Sequence, residues 1–519
     1  MSLRIALTRI LATTAIACAT ACIVLPAAAA PRQGGTVVMA QAGNIPTLDP
    51  HFSGSGETRN VVTHVYEGLV ALDEKANAIP DLAESYAYAP DGMSVTFRLR
   101  RGVRFHDGSE MKAADVVASL ERYKRLSPNR ALLAPMQAAE AADDHTVVLR
   151  LSRKAPSLVE EMASPATVLG IMPAADGATA GGRNSNIGTG PYRLAGFVAD
   201  SHATLERFSS YSANTAHAGR DGYGGRKTAW FDRVIVRVVP EAGSRVAGLE
   251  TGEYHVVEQI PPAVAAQFAS SRTVKVHDMM PWWMIIAWIN NSLAPTDNMM
   301  VRQAIQAAIN QKELMAFATQ DFYRLNHSFQ YPTSRWYPGE ESAGVYNQGN
   351  AARARDLVAR SGVQSPRLTI VASSDFDVCS SAGMVLAEQL KAAGFAVDLR
   401  MVDHPTFTAM RQKPEGWNIE VCGAGIEPFL GAYAYNRLMA GRPNSMHAYG
   451  PDLDAAWARI LNGETFEERR AGWVAFERIV HERALVVKLG DAGIKQAAAR
   501  RVQGFVPFRS PRLWDVWFE

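Results

Sequence analysis

Glu427 sits in a glycine-broken loop, GAGIEPFLGAYAY at residues 423–435, just after an apolar stretch at 417–421 that has strand length. Ligands of open α/β sheets bind at the carboxyl ends of strands, where such loops lie. A carboxylate in a partly dry cleft makes a strong charge-assisted hydrogen bond to an amine, whereas a solvated loop acid does not. Phe429, Tyr433 and Tyr435 make the loop aromatic. Trp417 and Trp283 could add stacking or cation–π contact, or serve only as core tryptophans. Ser373, Ser374 and Asp375 follow one strand pattern and precede a helical one, so they either cap that helix or present its N-terminus to a ligand carboxylate.

Bond-making chemistry is not set up. The chain has no HExxH, GxSxG or CxxC motif, and its 12 histidines include no helical pair at metal-ligand spacing. Lone histidines such as His51 and His106 read as hydrogen-bonded structural residues. IGTGPY at 187–192 lacks the GK[ST] of a phosphate loop, and DGYGGRKT at 221–228 carries Arg226 where a Walker loop needs glycine. No catalytic residue, metal site or cofactor is expected.

The elements that would hold these loops are legible in the pattern. Within residues 81–123, Val95, Phe97 and Leu99 alternate with Thr96, Arg98 and Arg100, a strand with one buried face. Asp91-Gly92 and His106-Asp107-Gly108 are turns, and Val116, Leu120 and Tyr123 follow at helical spacing. Strands are expected at 34–42, 145–151, 231–239, 254–259, 284–290, 367–372 and 395–402. Helices are expected at 61–69, 244–252, 301–309, 351–362 and 380–393. The β–α–β order in the second half implies a parallel sheet with crossover helices.

The run TFRLRRGVRFHDGSEMKAADVVASLER resembles the most recognisable segment of the family-5 extracellular solute-binding proteins, the peptide- and nickel-type receptors of ABC importers. TLDP at 47–50, YEGL at 66–69, GTGPY at 188–192, Gly252-Glu253 and VRQAIQAAINQKEL at 301–314 resemble further features of that family, so the likeness spans nearly all of the chain after residue 30.

Bulk composition is compatible with an exported binding protein. The 519 residues are enough for two or three domains, and 47% hydrophobic against 20% charged residues describes a globular chain. Arg4 and Arg9 are the only charges before Pro31; without them basic and acidic residues balance at 51 each, which argues against nucleic acid as a partner. Residues 1–29 read as a signal peptide: a basic start, an apolar run over 10–25 and small residues at 27–30 for cleavage near Ala28 or Ala29. The run is short and rich in Ala and Thr for a membrane anchor, and neither Cys18 nor Cys22 follows a leucine as a lipoprotein signal requires. Cleavage leaves Cys379 and Cys422. They either pair, which would be worth about 4 kcal/mol in the chain-entropy model, or remain two buried thiols.

The resemblance implies an α/β fold of the periplasmic-binding-protein clamp type (type II), two-lobed, with a small domain inserted in lobe one. Lobe I would comprise 30–69, 187–280 and 488–519, the inserted domain 70–186, and lobe II 281–487, with hinges near Pro281 and Lys488. It also implies a cleft mouth at Phe52, Ser53, Gly54 and Ser55. Glu427-Pro428 falls where peptide-binding relatives carry an Asp-Pro whose acid holds the ligand ammonium group; the longer Glu, and the loss of a second acid nearby, put peptide specificity in question. The function implied is that of a monomeric periplasmic receptor that captures a short peptide or other amine-bearing solute and passes it to an ABC permease in the inner membrane. A metal chelate, haem or other non-peptide nutrient is the alternative ligand, and an exported hydrolase is an alternative without a supporting motif.

Overall fold

A computed structural model describes residues 31–165, 168–181, 183–340, 343–411, 413–424, 432 and 450–519. The first strand, β1 (Thr36–Gln41), leads through the TLDP loop to α1 (Gly56–Val65). This helix begins five residues before the expected Val61 because Ser55 caps it, its hydroxyl accepting the Thr58 N–H at 3.2 Å.

A separate four-stranded sheet follows, built from β2 (Ala83–Tyr88), β3 (Ser94–Leu99), β4 (Met136–Asp143) and β5 (Thr146–Leu151) in the order β2-β3-β5-β4. The alternation in β3 does what it predicts: Val95, Phe97 and Leu99 are buried against Val116, Leu120 and Tyr123 of α2 (Ala113–Leu126). Asp115 accepts the Lys112 backbone N–H at 2.8 Å and steadies the start of that helix.

The chain then enters the large sheet through β6 (Tyr192–Val198), β7 (His202–Arg207) and β8 (Arg233–Val238), passes through α3 (Ala242–Thr251) and adds β9 (Val256–Ile260). β10 (Val274–Ile289) is 16 residues long. Beyond it come α4 (Met299–Ala308), α5 (Gln311–Ala318), α6 (Ala351–Ser361), β11 (Arg367–Ser373), α7 (Asp377–Ala392), β12 (Ala396–Val402) and β13 (Ile419–Ala424). The helical hairpin α8 (Pro451–Asn462) and α9 (Phe466–Glu482) precedes the last long strand, β14 (Val486–Ala499).

The sheet has 11 strands in the order β12-β11-β13-β10-β14-β9-β1-β8-β7-β6, with the short strand Tyr323–Arg324 paired to β14. The β–α–β unit over 367–402 is parallel as expected, but the sheet as a whole is mixed. β11 runs parallel to β12 and β13, and β1 parallel to β8 and β9, as crossover helices demand. β10 and β14 run antiparallel to each other and to their outer neighbours, because each is a passage from one half of the molecule to the other and they travel in opposite directions. These two strands join the halves of a two-lobed α/β fold. The strand expected at 284–290 is the second half of β10. Its first half carries no strand signal in the sequence because Pro281 interrupts it: proline offers no N–H, and the ladder with β14 shifts register between Met279 and Trp283.

One lobe is held by Val37, Met39, Val61, Val65, Val234 and Val236 with Leu513 and Val516 of the C-terminal tail. The other has a core on each face of its sheet. Ile285, Ile305, Leu314, Leu386 and Val421 fill one face; Ile286, Trp417, Trp473 and Phe476 fill the other. Among the described residues, no helix is long and apolar enough to cross a membrane.

Candidate ligand-binding cleft

β10 and β14 change partners where the lobes meet. Met279 pairs with Ile494 and Trp283 with Ala492, so Gly493 alone faces the three residues 280–282. Trp283 emerges from this irregularity toward the second lobe, where the parallel strands β11, β12 and β13 end at Ser373, Val402 and Ala424. Carboxyl ends of parallel strands gather loops that are free of ladder hydrogen bonds, the setting in which such sheets take ligands.

A row of rings lines this edge. Trp283 meets Phe376 edge to face at 5.0 Å between centroids, and Phe376 meets His404 likewise at 5.0 Å. His404 stacks on Phe407 at 5.7 Å, and Phe407 contacts Trp288 at 6.3 Å. Burial holds His404 below the usual imidazole range, so it is neutral near pH 7. Cys379 in the first turn of α7 is bonded to Cys422 of β13, which resolves the choice between a bridge and two free thiols. Under the row, the Arg411 guanidinium lies 4.3 Å over Trp288 and 3.7 Å from the Glu420 carboxylate. Glu420 is fully buried, and neither of its oxygens has a hydrogen-bond partner among the described residues. Burial pushes its carboxyl up to about 8 despite Arg411.

Of the residues singled out in the sequence, Trp283 stands in this row, half-buried. Ser374 does not cap α7. The N-cap is Phe376, without a side-chain hydrogen bond, and the Ser374 hydroxyl donates instead to the Val402 carbonyl at 3.1 Å. Asp375 accepts the His404 N–H at 2.9 Å, tying the end of β11 to the end of β12. Trp417 is 1% exposed, and its indole N–H donates to the Lys413 and Met410 carbonyls, so it is a core residue. Glu427, Phe429, Tyr433 and Tyr435 lie outside the described residues. In the other lobe Phe52 is 49% exposed, Ser53 accepts the Ser55 N–H, Gly54 lies between them, and Ser55 is the cap of α1.

Sequence reading missed Phe376, since an isolated Phe before a helix carries no signal. It also missed a polar cluster at the carboxyl ends of β1 and β9. There Asn60 donates to Gln41 at 3.1 Å and to Glu258 at 2.8 Å, and loss of water pushes the Glu258 carboxyl up.

The quoted motifs converge on one buried ion cluster. Lys227, from DGYGGRKT, bonds Glu67 of YEGL at 2.8 Å and Asp81 at 3.1 Å. Thr189 of the GTG turn and Tyr211 donate to Glu67 at 3.0 and 2.7 Å. Burial alone would raise Glu67, but Lys227, the Tyr211 hydroxyl and the charge of Arg100 hold it below the usual range; burial lifts Asp81 to about 6. Burial would lower Lys227, but the two acids keep it charged. The glycines of the turn are required by close approach: a Cβ on Gly188 or Gly190 would lie 2.1 or 2.4 Å from the carbonyl of Val65 or His64 at the end of α1. The lysine that failed the Walker pattern thus works in the frame.

Two ion pairs link the small sheet domain to the helical hairpin, Lys154–Glu464 at 2.6 Å and Glu160–Arg469 at 3.3 Å. They flank a cavity of about 440 Å³ lined by Tyr86, Tyr88, Pro156 and Phe466. Among the described residues, no three His, Cys, Asp or Glu side chains are grouped to hold a metal ion.

The family model for the middle region of bacterial extracellular solute-binding proteins, family 5, matches residues 77–443. The chain belongs to the bacterial extracellular solute-binding proteins of family 5. Two relatives agree with this membership. The "Probable peptide ABC transporter periplasmic-binding protein y4tO" of Sinorhizobium fredii is 23% identical over 495 residues, 91% of this chain and 92% of that one. The glutathione-binding protein GsiB of Pectobacterium atrosepticum is 29% identical over 382 residues, 70% of this chain and 69% of that one. In fold, the ABC transporter substrate-binding protein CtaP of Listeria monocytogenes superposes with a TM-score of 0.80, at 21% identity over 94% of this chain and all of that one. This family-5 protein therefore has the two-lobed clamp expected of it, and the proteins it resembles are substrate-binding proteins.

Proposed function

We propose that this chain is exported, loses residues 1–29, and serves in the periplasm as the monomeric receptor of an ABC importer. It captures a short peptide or another amine-bearing solute between its lobes and delivers it to a permease in the inner membrane. The observation that carries this reading is the pair β10 and β14: both join the two lobes, and both lose register where Gly493 faces residues 280–282. A sheet that weakens at its crossing can bend there while each lobe keeps its own core. Closure is favoured only by a ligand that contacts both lobes. The peptide-binding and glutathione-binding relatives support a ligand with a free amine. Glu427 is the proposed acceptor of that amine, and Phe429, Phe52, Ser53, Gly54 and Ser55 are proposed as further ligand contacts.

The test is small-angle scattering of the mature protein with solutes extracted from the native host. Compaction on binding, without turnover of the bound solute, is expected; no compaction with any solute, together with turnover, overturns the reading. Calorimetry on Glu427→Ala tests the site, with loss of amine-ligand affinity expected. The half-buried rings of Trp283, Phe376 and His404 favour a second reading, a planar non-peptide solute such as a chelate or haem. Thermal-shift screening of peptides against such compounds separates the two.

A further inference from the structure

The Phe376 side chain makes no capping bond; the residue's carbonyl accepts the Cys379 and Ser380 N–H groups at 2.9 and 3.1 Å, and its ring stands at the turn where β11 hands over to α7. It is half-buried, as is Trp283, so each ring has one part packed and another open. Three independent restraints converge on this pair. The Cys379–Cys422 bond pins the first turn of α7, three residues after Phe376, to β13. Gly423, the next residue of β13, has no side chain, and a Cβ there would stand 2.5 Å from the Trp283 ring. Asp375 accepts the His404 backbone N–H, and the His404 ring meets Phe376 edge to face on its other side. A covalent bond, a missing side chain and an adjacent hydrogen bond together fix two rings at the end of the lobe-crossing strand.

We propose that Phe376 is a specificity-determining residue of the cleft, held against Trp283 by the Cys379–Cys422 bridge, and that the two rings select a solute with a cationic head. This rests on the receptor reading above and narrows its ligand class. Ring faces attract ammonium and guanidinium groups through their quadrupoles, most strongly where water is excluded. The wall presents no competing cation, because His404 is neutral and the Arg411 guanidinium is stacked behind it on Trp288, and the exposed Asp375 and Asp377 that flank Phe376 add to the attraction for a cationic head. The bridge acts through Phe376 and is a positioning device: with it gone, the start of α7 can move away from β13 and the rings part.

The experiment titrates the mature full-length protein with arginyl-alanine, alanyl-alanine and N-acetyl-alanyl-alanine, reading affinity by calorimetry and tryptophan emission. The expected order is arginyl-alanine tightest and the acetylated peptide weakest. Phe376→Leu should weaken arginyl-alanine about tenfold, Phe376→Tyr should restore it, and the double variant Cys379→Ser, Cys422→Ser should behave like Phe376→Leu with an unchanged circular dichroism spectrum. Unchanged affinity in Phe376→Leu or in the double variant overturns the proposal. So does a lack of preference for the cationic peptide while a neutral solute from the native host still compacts the protein; in that case the receptor reading stands. If neither the peptides nor the host extract produces compaction, both fall.

Discussion

The indole of Trp283 lies directly on Gly423: a Cβ at that glycine would come within 2.5 Å of the ring. The two residues are 140 positions apart in the chain, and the contact exists because β10 and β13 are paired, with Met284 opposite Ala424. Gly423→Ala should displace the ring and disturb its contact with Phe376. A destabilisation of about 1–3 kcal/mol, with a shift in tryptophan emission, is expected from chemical denaturation followed by fluorescence. Coincident unfolding curves for the variant and its parent would remove the contact from the account.

The Cys379–Cys422 bridge closes a loop with a sequence separation of 43. Restricting the unfolded chain to that extent stabilises the protein by about 4 kcal/mol in the chain-entropy model. Scanning calorimetry of the parent with and without a thiol reductant should show the lower melting temperature in the reduced form. The Cys379→Ser, Cys422→Ser variant should match the reduced parent and be insensitive to reductant.

Glu420 makes stability fall as pH rises. Its carboxyl is pushed up to about 8 by burial, above the ordinary value of 4.5, so the folded state holds a proton that the unfolded state releases. The contribution is fully present below pH 4.5, is lost as pH rises toward 8, and is constant above that. Glu420→Gln cannot ionise. Relative to its parent it should gain stability across this window, on the order of a few kcal/mol, with no further change in more alkaline buffer. Denaturant titrations at pH 5 and pH 9 on both proteins measure the difference.

Lys227 is buried between Glu67 and Asp81, and removing it leaves two acids without their counter-charge. Lys227→Met should cost about 3–5 kcal/mol, the usual penalty for breaking a buried pair from one side. A triple change that also makes Glu67→Gln and Asp81→Asn should recover part of the loss, which would assign the penalty to uncompensated charge. If the triple variant is no more stable than Lys227→Met alone, the cost lies in packing.

Much of the frame was legible because its signals are local. The alternation of Val95, Phe97 and Leu99 needs only a strand with one wet face, and it forms β3 as read. The helices expected at 351–362 and 380–393 appear as α6 and α7, with boundaries shifted by no more than three residues. α1 differs more, because its serine cap sets the start at Gly56 whereas apolar spacing alone points to Val61. The family resemblance lay in contiguous motifs, and it carried the two-lobed fold with it.

What stayed hidden depended on partners far away in the chain. The first half of β10 contains a proline and is held as a strand by β14, more than 200 residues later. Trp417 and Trp283 look equivalent in sequence, yet one donates its indole N–H inside a core and the other reaches the lobe junction. Lys227 stood in a failed phosphate motif until folding brought Glu67 and Asp81 around it.

From the amino-acid sequence by itself came many of the element types and the family, because periodicity, capping and short motifs act within a few turns of backbone. Tertiary structure alone decided which cysteines bond, which tryptophan meets Phe376 and which acid is stripped of water. Those outcomes depend on distances between strands that the chain sets only when the whole sheet closes.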